Sequence, residues 1–173
     1  MSIICGIGGI KMAIRQIVTG KDTEVLREKA KPVLEFNQKL WDLLDDMKET
    51  MEAADGVGLA APQVGILRRV AIVAADGKKF YELVNPVILE EIGTQTFDEG
   101  CLSLPGQKGL VERPKKLVVE AQDRFGKKHK YKITDAFTAV AFCHEIDHLD
   151  GVLYIDKLTQ NGKINTNDKG GKE

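Results

Sequence analysis

The feature that most constrains this chain is an apolar segment near its C-terminal end, residues 136–149, which contains the sequence His-Glu-x-x-His. A segment that is apolar nearly all round predicts a buried helix, and Asp135 is a suitable N-cap for it. In a helix His144 and His148 lie on one face, one turn apart, and can hold one metal ion. Glu145 lies roughly 100° around the helix from His144, within reach of a metal-bound water without being a ligand. Since buried, unpaired His and Glu side chains are costly, the segment predicts a metal site with Glu145 as general base.

The composition is that of one soluble globular domain. The chain has 173 residues, of which 43% are hydrophobic and 29% charged, and its formal net charge is -1. This charge argues against nucleic-acid binding as the main activity. Three cysteines are too few and too odd in number for a disulfide framework, which favours a reducing, cytoplasmic location. No apolar stretch has the length of a membrane span, so we expect no membrane partner.

The ends of the chain differ from its middle. Residues 1–11 form a short apolar run with several glycines, and they lack the basic region and the longer apolar core of a signal peptide. We interpret them as an N-terminal extension that is not part of the domain. Residues 12–159 are predicted to be a single catalytic domain. Residues 160–173 are polar and have no apolar face, which predicts a mobile tail.

The order of predicted elements indicates an α+β fold. Residues 37–54 carry apolar side chains at three- and four-residue spacing, which predicts an N-terminal amphipathic helix. The middle of the chain reads as strands, among them residues 80–84 and 87–92, separated by a break at Asn85-Pro86. A further apolar strip at residues 99–105 is predicted to end at Pro105. We therefore expect antiparallel sheets packed around a central metal-binding helix.

Two histidines need at least one more protein ligand, and residue spacing alone leaves its identity open. A catalytic site uses about three protein ligands and keeps one position for water. No histidine follows His148, and the acids Asp150 and Asp156 lie at or beyond the helix end. Cys143 adjoins His144 and points away from it, so packing in the core is expected for its thiol. Cys101 is either a ligand or a small buried hydrophobe.

Residues 56–65 form a loop of small residues and glycines, Gly-Val-Gly-Leu-Ala-Ala-Pro-Gln-Val-Gly. The loop lacks the lysine and the Ser or Thr of a phosphate-binding loop, which excludes nucleotide binding there. Gln63 has two interpretations at this point. It is a solvated polar side chain, or its amide donates a hydrogen bond to a substrate oxygen.

Three stretches together resemble the signature motifs of the peptide deformylase family: Gly56-Val57-Gly58-Leu59-Ala60-Ala61-Pro62-Gln63, Glu99-Gly100-Cys101-Leu102-Ser103 and His144-Glu145-Ile146-Asp147-His148. They occur in the family's order over roughly residues 12–158. The resemblance implies one divalent metal held by Cys101, His144 and His148, with Fe(II) expected first and Zn, Ni or Co as other ions for the site. It implies hydrolysis of the formyl group from N-formyl-methionine at the start of new polypeptides, with release of formate.

The resemblance also implies roles for residues around the metal. The Gln63 amide and the Leu102 backbone N–H would stabilise the charge on the formyl oxygen. The methionine pocket would be formed by Phe137, Val140 and Ala141 together with Val57, although plain core packing is the alternative for each. The backbone around Gly58 would bind the substrate main chain as an extended peptide binds a sheet edge. Some relatives carry a basic helix that docks on the ribosome, and residues 161–173 do not resemble it.

Two other classes of function stay open from the sequence. A zinc endopeptidase of the His-Glu-x-x-His kind would need a third ligand after His148, and none is convincing. A non-catalytic zinc-stabilised domain would predict a closed site with four ligands, and would leave Glu145 and Gln63 without a role. Replacement of Glu145 by Ala distinguishes the cases, since only an enzyme loses turnover while it keeps its metal.

Overall fold

The fold is taken from a computed structural model, which describes residues 13–166. The extension predicted for residues 1–11 lies outside the described residues. The helices are α1 (Glu24–Arg27), α2 (Gln38–Ala53) and α3 (Ala136–Leu149), with 3-10 turns at Ala61–Val64 and Tyr154–Lys157. The strands are β1 (Gly58–Ala60), β2 (Val70–Val73), β3 (Tyr81–Ile92), β4 (Gln95–Cys101), β5 (Leu104–Arg113), β6 (Lys116–Gln122), β7 (Lys128–Ile133) and β8 (Asn165–Thr166). No helix in this part of the chain has the length and apolar character that crossing a membrane requires.

Five strands form an antiparallel sheet in the order β1-β2-β3-β6-β7, covered by a helix on each face. Successive residues of a strand point to opposite faces. In β2, Val70 and Ile72 pack in the cluster that contains the apolar side of α2. Ala71 and Val73 pack in the cluster that contains α3. The sheet is therefore a layer between α2 and α3, and α3 is held against one face of it.

Helix α2 forms because its apolar residues recur with the helical period. The buried side chains on this face are Leu40, Leu43, Leu44, Met47 and Met51. Asn37 occupies the N-cap position, but its side chain makes no capping hydrogen bond, and its Nδ2 instead donates to Glu35 Oε2 at 3.1 Å. The stability of α2 comes from packing on the sheet rather than from its cap.

A second sheet of three antiparallel strands, β4-β5-β8, carries the middle motif. Strands β4 and β5 form a hairpin that pairs Cys101 with Leu104, and a small apolar cluster under the hairpin includes Leu104, Val111 and Tyr154. Strand β8 pairs with Gln107 and Lys108, so part of the predicted polar tail adds to this sheet. The mobility predicted for the tail stays a prediction, and residues 167–173 lie outside the described residues.

The mixed helix and antiparallel-sheet class predicted from the sequence is confirmed, but two strand boundaries were wrong. Asn85-Pro86 does not end a strand, because β3 passes through both residues with a register shift between Val84 and Val87. Asn85 adopts φ 51°, and its side chain bonds both Val33 N and Val33 O. Pro105 lies within β5, next to another register shift. A bulge tolerates a proline, because the extra residue in a bulge makes no ladder hydrogen bond and proline has no N–H to donate.

Candidate metal centre

Helix α3 places His144 and His148 side by side. Asp135 caps the helix, since its Oδ2 accepts hydrogen bonds from Thr138 N at 2.8 Å and Thr138 Oγ1 at 2.7 Å. The two imidazole rings lie one turn apart with centroids separated by 4.9 Å. Both rings face the β4–β5 hairpin, since His144 contacts Glu99 and His148 contacts Cys101 at the end of β4.

Cys101 is the residue that the structure brings to this pair. It ends β4, and its Sγ lies 3.3 Å from His148 Nε2. One ligand atom from each of Cys101, His144 and His148 lies within 4.8 Å of the others. One sulfur and two imidazole nitrogens suit Zn and other transition metals, and three protein ligands leave positions open for water or substrate. The donor set therefore fits a catalytic divalent metal.

The other candidates for a third ligand are engaged elsewhere. Asp150 Oδ1 accepts from Arg69 Nη1 at 2.7 Å, and Asp156 Oδ2 accepts from Arg27 Nη1 at 2.5 Å. Cys143 is buried in the core between α3 and the sheet, and burial raises the pKa of its thiol to about 12. A thiol with such a pKa is a poor ligand at neutral pH, which agrees with its predicted role in packing.

A carboxylate that the sequence analysis gave no role fixes the ring of His144. Glu99 Oε2 lies 2.8 Å from His144 Nδ1. An ionised carboxylate only accepts hydrogen bonds, so Nδ1 carries the proton and Nε2 is free to bind a metal. Arg113 in turn donates from Nε to Glu99 Oε1 at 2.6 Å and from Nη2 to Glu99 Oε2 at 3.0 Å. The sequence contained one signal for this role of Glu99: it lies two residues from Cys101 in a predicted strand, so the two side chains face the same side.

The charges around the two histidines differ although the rings are neighbours. Burial alone would raise the pKa of Glu99, but hydrogen bonds with His144 and Arg113 outweigh it and lower the pKa. Burial opposes the charged form of His144, yet its contacts with Cys101 and Glu99 raise its pKa well above the usual value. Burial and the charge of His144 lower the pKa of His148. Because a metal needs both Nε2 atoms unprotonated, metal affinity should fall as the pH falls.

Glu145 lies deep in the site with part of its carboxylate unused. Its side chain is 5% exposed, and among the described residues its Oε2 has no hydrogen-bond partner. Burial raises its pKa to about 7. Gly58 of β1 passes directly over this side chain, because a Cβ built on Gly58 would lie 2.5 Å from Glu145 Oε1. A carboxyl group with a pKa near neutrality suits proton transfer in both directions.

The orientation of the Gln63 amide is fixed by two neighbours. Its Oε1 accepts from Ala60 N at 2.9 Å, which turns the NH₂ group toward the metal ligands. Nε2 lies 3.2 Å from Ser103 Oγ and 3.5 Å from Cys101 Sγ. Gln63 is 1% exposed, so it is not the solvated side chain that one reading of the sequence allowed. The sequence motif that contains Ser103 did not indicate its contact with Gln63.

Cys101 and His144 line a cleft of about 500 Å³. Its wall includes all the substrate-binding residues predicted from the sequence: Val57, Gly58, Phe137, Val140 and Ala141. Leu102, predicted as a backbone donor, lines it as well. Phe97, which the sequence analysis did not name, also lines it, and its ring centroid lies 5.4 Å from that of Phe137. The lining thus combines apolar side chains with the polar groups of Gln63, Cys101, His144 and Glu145.

Comparisons with known proteins identify the family of this chain. A profile of the polypeptide deformylase family matches residues 14–163. A peptide deformylase of Caldicellulosiruptor bescii is 54% identical over 147 residues, which is 85% of this chain and 87% of that protein. A crystal structure of a peptide deformylase from Legionella pneumophila superposes with a TM-score of 0.81 at 43% identity, covering 86% of this chain and 88% of that one. One from Thermotoga maritima gives 0.80 at 40% identity, covering 84% of this chain and 98% of that one. The chain belongs to the polypeptide deformylase family.

Proposed function

We propose that this protein removes the formyl group from the N-terminal formyl-methionine of newly made polypeptides and releases formate. The observation that carries the proposal is the juxtaposition of Cys101, His144 and His148 with a buried Glu145 beside a cleft that has many apolar side chains. Membership of the family supports the same reaction.

Cys101 Sγ, His144 Nε2 and His148 Nε2 would hold one divalent metal, with Fe(II) proposed first and Zn, Ni or Co able to replace it. When bound, such a metal lowers the pKa of water toward about 7 and polarises a carbonyl oxygen. The hydrogen bond from His144 to Glu99 holds that ring in the tautomer and orientation that ligation needs.

Glu145 moves the protons. Its carboxylate takes a proton from the attacking water and later gives it to the amine that leaves, so the products are formate and a free N-terminus. Its carboxylate is inside the cleft, and Oε2 is available because no described residue bonds it. Gly58 leaves room for the other oxygen, since a Cβ at this position would lie 2.5 Å from Oε1.

Gln63 and Leu102 would stabilise the negative charge that develops on the formyl oxygen. The Gln63 NH₂ group is aimed at the ligand side of the cleft by the hydrogen bond that Ala60 donates to Oε1. Leu102 lies in the turn between β4 and β5, directly after Cys101, and its backbone N–H would be the second donor to the formyl oxygen. Donors that are already in position need no reorganisation during the reaction.

The apolar side chains of the cleft would bind the methionine side chain. Val140 and Ala141 are buried, while Phe137 and Val57 are 37% and 40% exposed at the cleft's opening. The peptide main chain would lie extended along the backbone of Gly58, as in other complexes where a peptide adds to a sheet edge. We propose nascent N-formyl-methionyl chains as the partner and the cytoplasm as the location. Ribosome docking by the tail is not part of the proposal.

The two other classes of function receive less support. Asp150 and Asp156, the acids available after His148, are paired with arginines, so an endopeptidase's third ligand is lacking among the described residues. A closed structural site needs about four ligands, and the cluster in the described part of the chain has three.

The test is formate release from a formyl-methionyl peptide by metal-loaded wild-type protein and by the Glu145→Ala variant. We expect turnover by the wild type and a loss of about 10²–10⁴-fold in the variant, the usual contribution of a general base. The metal content of both proteins should be equal, because Glu145 is not a ligand. Equal turnover by the two proteins, or cleavage of internal peptide bonds instead of formate release, would contradict the proposal.

A further inference from the structure

We propose that Asp147 and Lys157 are positioning residues that determine how tightly His144 and Cys101 hold the metal. The inference rests on the proposed function, since it concerns the same metal site. Neither side chain touches the ligand atoms. Both act through Arg113, which joins the hairpin that carries Cys101 to the helix that carries the two histidines.

Arg113 is the centre of the arrangement. It is 4% exposed, and its guanidinium uses both sides of its fork. One side makes the two hydrogen bonds to Glu99, and the other donates from Nη1 to Asp147 Oδ2 at 2.6 Å. Glu99 then bonds His144 Nδ1. The position of Asp147 is thus transmitted to the His144 ring through two charge-assisted pairs.

Lys157 completes the chain of charges at the surface. Its Nζ donates to Asp147 Oδ1 at 2.7 Å, so both oxygens of Asp147 are bonded to cations. Charges alternate from Glu99 through Arg113 and Asp147 to Lys157, and they sum to zero. Such balance matters here because a buried charge without its partner is strongly unfavourable.

The arrangement connects the three parts of the chain that build the site. Glu99 and Arg113 belong to the β4–β5 hairpin, Asp147 belongs to α3, and Lys157 belongs to the 3-10 turn at Tyr154–Lys157. Without the negative charge of Asp147, the buried Arg113 would lose one of its two anionic partners, and its guanidinium would move toward Glu99. That movement would shift Glu99, and with it the distance between Cys101 Sγ and the imidazole nitrogens.

Metal release is the direct test, because it needs no substrate. The protein is loaded with Co(II), which absorbs through thiolate-to-metal charge transfer, and the loss of this absorption is followed after a chelator is added. Loss of an outer contact of a ligand typically costs about 10–100-fold in metal affinity, and Asp147 is two contacts further out than Glu99. We expect Asp147→Asn to release metal roughly 10-fold faster and Lys157→Met about 3-fold faster.

Two further variants act as controls. Lys157→Arg keeps the charge and should release metal at the wild-type rate. Lys128→Met removes an exposed lysine that pairs with Glu120 at 3.1 Å on the five-stranded sheet. Its metal release rate should also match that of the wild type. If Asp147→Asn fails to fold, the comparison of Lys157→Met with Lys157→Arg decides the question, since Lys157 is 43% exposed and its replacement should be tolerated.

Each outcome bears on the proposal. The proposal would be overturned if Lys157→Met, and Asp147→Asn where it folds, released metal at the same rate as Lys128→Met. The same would follow if Lys157→Arg behaved like Lys157→Met, because charge would then not be the cause. A wild-type protein that shows no thiolate absorption with Co(II) would refute the proposed metal site itself, and the inference with it.

Discussion

Replacing Gly58 by Ala should displace the Glu145 carboxylate and leave the metal ligands in place. A Cβ at this position would lie 2.5 Å from Glu145 Oε1, 2.8 Å from its Cγ and 2.9 Å from its Cδ. Non-bonded heavy atoms are attracted most at about 3.5–4.0 Å, so the side chain must retreat by up to about 1 Å. Since Glu145 is buried, the retreat meets packed neighbours rather than water.

The change in the free energy of unfolding caused by Gly58→Ala is the sum of two opposing effects. Overpacking by one methyl group costs about 1–3 kcal/mol. Replacing glycine by alanine where the backbone allows it stabilises by about 0.4–1 kcal/mol, because the unfolded chain loses freedom. Gly58 is not in the left-handed region, so this gain applies. The net expectation is a loss of about 1–2 kcal/mol, together with a roughly 10²-fold fall in kcat from the misplaced base.

A double-mutant cycle isolates the contact with Glu145. The free energy of unfolding is measured in urea on metal-free protein for the wild type, Gly58→Ala, Glu145→Ala and the double variant. In the Glu145→Ala background the obstructing atoms are gone, so Gly58→Ala should be neutral or stabilising. The coupling energy should be about 1–3 kcal/mol. An equal cost of Gly58→Ala in both backgrounds would refute the reasoning.

Three further predictions concern the same site. In metal-free protein the folded state binds the Glu145 proton more tightly than the unfolded chain, with a pKa of about 7 against 4.5. The free energy of unfolding should therefore fall by on the order of 3 kcal/mol as the pH rises from the lower to the higher of these values. Urea titrations at several pH values would measure this fall, and Glu145→Gln should abolish it. Glu99→Gln should weaken metal binding roughly 10–100-fold in chelator competition. Gln63→Leu should lower kcat about 10²–10³-fold with little change in KM, which steady-state kinetics would show.

The local part of the site could be predicted from the sequence because it depends on helix geometry alone. The spacing of His144, Glu145 and His148 fixes their directions once a helix is assumed, and the structure has that helix. The choice between Cys101 and other third ligands depended on which strand lies against α3. Spacing does not determine that contact, and only the resemblance to a family pointed to Cys101.

The parts that were missed depend on contacts between distant segments. Arg113 bonds Glu99 although the register of the β4–β5 hairpin pairs Arg113 with Gln95 and Glu99 with Gly109, so neither the spacing nor the register predicts this contact. The same holds for Asn85, whose unusual backbone is stabilised by hydrogen bonds to Val33. Both cases involve polar side chains that satisfy backbone or charged groups far away in the chain.

The most direct measurement of the central claim is formate release as a function of added Fe(II), made on metal-free protein without oxygen. If Cys101, His144 and His148 form one catalytic site, activity should rise in proportion to the metal and stop rising at about one equivalent per chain. The Cys101→Ser variant should need far more metal or stay inactive. Activity that does not depend on added metal, or its absence at full metal loading, would contradict the account.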